Sequence, residues 1–157
     1  MVINSKIFTP DRVERLSNRE ILVFGSDLEG NHTGGVAKLA HERFGAEWGV
    51  GDGPTGRCYA IPTMFESRDE IWPYVKKFIE DAKAHPMNRF LLTRVGCGNA
   101  GFRDEEIALL FEEIQDVPNI TYPRKWRTYF FASLVLGTKT PRTKDAAPAY
   151  LSSFSQI

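Results

Sequence analysis

The chain reads as an α/β protein, a three-layer α/β/α sandwich with a mainly parallel central sheet. Three observations predict it. The apolar runs Ile21–Phe24, Cys58–Ile61 and Phe90–Val95 have strand length and little alternation, as expected of parallel strands covered on both faces. Between them lie segments whose apolar residues recur at helical spacing. Strands alternating with helices imply right-handed crossovers, which put helices on both sides of one sheet.

Size and composition narrow the rest. A chain of 157 residues is long enough for one well-buried core and short for two. With 42% apolar and 25% charged residues it has the balance of an ordinary soluble globular protein. Twenty basic and 20 acidic residues cancel, which argues against nucleic acid as a partner. The two cysteines, Cys58 and Cys97, form no disulfide framework and fit a reducing compartment. Charges within the first dozen residues leave no apolar segment of secretory length, and no run approaches the roughly 18 apolar residues of a membrane span. The expectation is a cytoplasmic protein without a membrane partner; the sequence gives no oligomeric state.

In order along the chain, Met1–Ile3 is a candidate edge strand. Thr9-Pro10 has the form of an N-cap followed by proline at the first helical position, opening a short helix with Val13 and Leu16 on one side and Asn18 near its end. Ile21–Phe24 is the first strand. A helix follows from about Gly35 to Arg43, with Phe44-Gly45 as its stop. Glu47 to Arg57, with four glycines and a proline, reads as a loop. Cys58–Ile61 is the next strand, ended by Pro62. Ser67 and Glu70 have capping-box spacing ahead of a long helix that buries Ile71, Val75, Phe78, Ile79 and Ala82 and stops before Pro86. Phe90–Val95 is a strand. Ile107, Leu110, Phe111 and Ile114 mark another helix, its N-terminal end favoured by Asp104, Glu105 and Glu106. Asn119–Tyr122 is a short strand. Trp126–Leu136 fits strand or helix equally well. The domain is expected to span residues 1–137, with 138–157, rich in Thr, Lys, Pro and Ala at first, as a C-terminal arm.

Two glycine-rich turns carry the chemistry. Each follows a strand and opens a helix, an arrangement that exposes backbone amides to an anion, typically a phosphate. In the first, Gly34, Gly35 and Val36 follow a polar loop holding Ser26, Asp27 and Asn31, which can bond ribose hydroxyls or orient a water. His32 is a candidate acid–base group beside them, although a lone solvent-facing histidine is more often idle. The second is Gly96, Cys97, Gly98, Asn99, Ala100, Gly101 and Phe102, where small residues can wrap a phosphate and Phe102 can wall off a base or plug the core. Cys97 has no visible base partner and reads as a small hydrophobe. There is no Walker loop and no GxGxxG. HExxH and CxxC are also missing, so neither a metal nor a cofactor is expected.

The order VFGSDLEGNHTGGVAKLAHERFG, then GRCYAIP, a helix, and RFLLTRVGCGNAGF resembles the macro domain, a three-layer module that generally binds ADP-ribose or related ligands. Gly34, Gly35 and Val36 match its GGGV-type helix start; Gly96, Gly98, Gly101 and Phe102 match its later GTGxxGF-type turn. The likeness covers about residues 20–120 and is greatest to bacterial and phage proteins of the macro-domain-like superfamily. Phe24 and Asp27 stand where many ADP-ribose hydrolases and readers carry two asparagines, and His32 and Thr33 replace two family glycines. The resemblance implies binding of a small ADP-ribose-like nucleotide diphosphate. The alternatives are hydrolysis of an ADP-ribosyl or phosphoester bond, with Asp27 and His32 catalytic, and a non-catalytic interaction module whose pocket is blocked.

Overall fold

The sheet is built around a strand of seven residues, β2 (Glu20–Ser26), in a computed structural model that describes residues 7–136. On one side β2 pairs in parallel with β4 (Cys58–Pro62), and on the other with β5 (Arg89–Leu92). Beyond β5 lie β6 (Ile120–Pro123) and β1 (Phe8–Thr9), both parallel; beyond β4 lies β3 (Gly53–Thr55), antiparallel. The order β1-β6-β5-β2-β4-β3 makes a mixed, largely parallel sheet.

Alternation along the central strands separates two cores. Leu22 and Phe24 of β2, Cys58 and Ala60 of β4 and Leu91 of β5 point to one face, where α1 (Gly35–Phe44) covers them with Ala37, Ala40 and Phe44. Val23, Tyr59, Ile61, Phe90 and Leu92 point to the other. There they meet α2 (Trp72–Ala84), α3 (Asp104–Leu110) and α4 (Trp126–Leu136). This second core is larger and aromatic: Phe78 lies edge-on to Tyr59, Phe90 and Phe111, with ring centroids 5.1, 5.8 and 6.3 Å apart. Helices on both faces of the sheet complete the α/β/α sandwich.

The three central strands and α1 form as the sequence predicts. The predicted helix after Thr9-Pro10 does not. Thr9 instead ends β1, where its Oγ1 lies 2.7 Å from Thr121 Oγ1 in the buried pairing with β6. Pro10 lacks the amide to continue that ladder. Val13 is buried against the α1 face and Leu16 packs beside it, so apolar spacing of three residues is satisfied by an irregular segment. The glycine-rich 47–57 loop contains β3, which Gly56 turns back onto β4.

Several boundaries also move. The Ser67–Glu70 capping box is present but caps a 3₁₀ turn, Arg68–Glu70; α2 begins at Trp72, with Pro73 in its first turn. β5 ends at Leu92, and both the amide and the hydroxyl of Thr93 donate to the Val23 carbonyl of β2, at 3.2 and 2.7 Å. The helix after Asp104 ends at Leu110, and a 3₁₀ turn, Glu112–Asp116, carries the buried Ile114. Trp126–Leu136, open to either reading, is helical. The strand expected at Met1–Ile3 and the arm at 138–157 lie outside the described residues. Among the described residues, no helix is long and apolar enough to cross a membrane.

Candidate functional site

Strands β2 and β5 are parallel neighbours, yet the helices that follow them leave on opposite faces. Such a divergence opens a crevice at the carboxyl ends of the strands. Here it is a cleft of about 1230 Å³ crossing the ends of β1, β6, β5, β2 and β4. Both glycine-rich turns open into it. Ser26, Asp27, Asn31, Gly34, Gly35 and Val36 line it from the first, and Gly96, Cys97, Gly98, Asn99 and Ala100 from the second. Gly101, Phe102 and His32 do not.

The first turn is shaped to leave backbone accessible. Gly34 is extended (φ −158°), and Gly35 has the left-handed φ of +60°. A Cβ built on either would meet no atom within 4 Å. Beyond them the opening amides of α1 have no intrahelical acceptor, as at any helix start.

Asp27 shapes the loop that precedes the turn. Its carboxylate accepts from the Asn31 amide at 3.0 Å and from the Asn31 carboxamide at 3.2 Å. Partial burial opposes ionisation, but these donors and the Gly30 amide outweigh it and hold the carboxyl below its ordinary range. A carboxylate so stabilised is a weak base. Its chain is also tightly buttressed, because Gly51 lies against it: a Cβ there would come within 1.9 Å of the Asp27 carbonyl oxygen.

His32 is buried rather than solvent-facing. Its Nε2 lies 2.9 Å from the Glu47 carbonyl oxygen. The ring packs edge-on to Phe24 and Trp48, with centroids at 5.3 and 5.8 Å. These contacts belong to the wall behind the loop. The signal was hidden because its partners lie 8 to 16 residues away in sequence.

In the second turn the Phe102 amide bonds the Gly96 carbonyl and the Gly101 amide bonds the Gly98 carbonyl, both at 2.9 Å. The amides of Gly98, Asn99 and Ala100 have no acceptor among the described residues. Phe102 packs against the large core, so it acts as the plug at the start of α3. Burial first, and then the Asp104 carboxylate, push the Cys97 thiol up to about 12, which keeps it protonated at neutral pH. Iodoacetamide at pH 7.5 is therefore expected to leave Cys97 unmodified in the folded protein and to alkylate it in urea, as read by mass spectrometry; rapid native labelling would contradict the assignment.

Asp104 clasps the turn shut. Arg94, just before the turn, donates from Nε and Nη2 to its two oxygens at 2.9 and 2.6 Å, and Trp126 Nε1 donates at 2.8 Å. Lys125 Nζ is 3.5 Å away. Arg94 foremost, with Trp126 and Lys125, outweighs burial and holds this carboxyl well below its ordinary value of 3.8. The stabilisation is complete above that value and is lost as pH falls through the depressed folded value. Asp104→Asn should cost about 2 kcal/mol at pH 7, a charged-bond value discounted because half of Arg94 is exposed. In urea unfolding, the gap from the parent should narrow as pH drops below 3.8; a pH-independent gap would contradict this origin.

Other cleft residues carried no motif. Thr63, Thr93 and Arg94 follow β4 and β5, while Arg12, Arg124 and Lys125 follow β1 and β6. Their shared signal is position just beyond a parallel strand, which becomes readable once the strands are paired. Among the described residues, no group of three or more His, Cys, Asp or Glu is arranged to hold a metal ion.

No protein-family model matches the chain, and no curated protein is significantly similar to it. A solved structure of a protein of unknown function from Bacteroides thetaiotaomicron is similar over 70% of this chain and 90% of its own, at 14% identity and a TM-score of 0.51. At that identity the likeness concerns the fold, and the three-layer α/β/α architecture is what the two share.

Proposed function

We propose that the protein binds a small nucleotide diphosphate, with ADP-ribose as the first candidate, through the two glycine-rich turns. One observation carries this reading: turns from adjacent parallel strands present backbone amides to the same open cleft. Amides at a helix start and in a small-residue turn suit the oxygens of a diphosphate, and the absence of Cβ atoms at Gly34 and Gly35 lets those oxygens come close. The resemblance of both turns to macro-domain sequences supports the choice of ADP-ribose. Binding is favoured over turnover because Asp27 is engaged by Asn31 and His32 is directed to the Glu47 carbonyl, which takes both away from the acid–base roles that hydrolysis would ask of them.

A ligand that binds only the folded state raises the unfolding temperature. Thermal denaturation of the purified chain with ADP-ribose, ADP, AMP or inorganic pyrophosphate is expected to show the largest rise with ADP-ribose, increasing with its concentration. The absence of any shift at millimolar concentrations of all four would overturn the reading.

A further inference from the structure

The cleft extends well past the two glycine turns, and its far end differs in chemistry. At the carboxyl ends of β1 and β6 it is lined by Arg12, Arg124 and Lys125. Arg12 is exposed and makes no ion pair or hydrogen bond among the described residues. Arg124 lies over the Phe8 ring, 4.3 Å from its centroid, which fixes the guanidinium plane without using its N–H donors. Lys125 shares Asp104 with Arg94, whose two bonds already occupy both carboxylate oxygens. Asp11 and Glu14 line the same end, but neither lies within ion-pair distance of Arg12, Arg124 or Lys125 among the described residues. The three cations outnumber the two carboxylates that line the same end, and Arg12 and Arg124 have no carboxylate partner among the described residues.

We propose that this end is a second anion subsite, and that the ligand is a small nucleotide carrying a phosphate in addition to the group held by the glycine turns. Resting on the binding reading above, the inference deepens it by naming the ligand class. The end of β6 is one strand, about 5 Å, from β5 and its glycine turn, and the end of β1, which Arg12 follows, is two strands, about 10 Å, beyond that turn at the usual inter-strand spacing. A diphosphate held across the two glycine turns does not reach the end of β1. Guanidinium groups suit a terminal phosphate, which accepts paired N–H bonds, whereas the glycine turns offer only single amides.

Two measurements on the full chain separate this inference from the binding reading. In amide NMR with inorganic phosphate, saturable shifts are expected at Gly35, Val36 and Gly98, and separately at Arg12, Arg124 and Lys125. Shifts confined to the first set would overturn the second subsite and leave the binding reading standing. Shifts confined to the second set would do the reverse, and silence at both would overturn both. In calorimetry, ADP-ribose 2′-phosphate should bind at least tenfold more tightly than ADP-ribose. The double variant Arg12→Ala/Arg124→Ala should erase that preference while leaving the affinity for ADP-ribose within twofold. Arg12→Ala alone removes no described contact and should lose part of the preference even if Arg124→Ala loosens Phe8. A preference that persists in the double variant, or equal affinity of the parent for the two compounds, would overturn the proposal.

Discussion

Gly51→Ala should destabilise the protein by about 3 kcal/mol, the upper end of what overpacking costs. The added methyl would sit 1.9 Å from the Asp27 carbonyl oxygen and 2.8 Å from that of Leu28, both backbone atoms that cannot rotate away. Relief requires one of the two loops to move. Because the Asp27 loop leads into Gly34, that movement would also disturb the cleft, so ligand affinity should fall along with stability. Gly98→Ala is the matched control: its Cβ meets nothing within 4 Å, and it should change stability by no more than about 0.5 kcal/mol. Urea unfolding of the two variants decides the matter. Equal stabilities would show that the two loops are not held in contact.

The second large effect concerns affinity. Gly34→Val should leave the fold nearly intact, since extended backbone accepts any residue and the new side chain enters open space. Gly35→Val should additionally lose about 1–2 kcal/mol of stability, because a branched side chain is strained at a φ of +60°. Both place methyl groups where diphosphate oxygens would approach the α1 amides. Charge-assisted bonds of that kind contribute roughly 1.5–3 kcal/mol each, so losing one weakens binding about tenfold and losing two about a hundredfold or more. Titration calorimetry with the ligand that gives the largest thermal shift, with urea unfolding as control, reads both quantities. Undiminished affinity in a folded Gly34→Val protein would remove the phosphate from this turn.

What the sequence revealed follows the range of each interaction. β2, β4 and β5 were legible because burial on both faces leaves continuous apolar runs. α1 was legible because its apolar spacing and its terminal glycine agree. Thr9-Pro10 misled because a threonine before proline serves equally as a helix cap and as a strand end, and the deciding contact is with Thr121, 112 residues away. β3 was masked by Gly53 and Pro54, which discount strand formation until a partner such as β4 is known. For the site, both glycine turns were visible as local patterns. The Asp104 clasp and the arginines beyond β1 and β6 were not, since each acquires its position only when distant strands pair. His32 failed for the same reason: the Glu47 carbonyl and the Trp48 ring fix it from another loop.

The inequality of the two cores has a kinetic consequence. The α1 face is closed by small side chains, with Ala37, Ala40, Ala46 and Ala60 among its buried members, while the opposite face holds most of the large aromatics. Local opening requires less energy where less apolar area is released. Amide hydrogens of α1 should therefore exchange with solvent through partial openings that leave α2, α3 and β5 protected. A ligand seated on the first turn of α1 would slow that exchange on one face of the sheet before it altered the other.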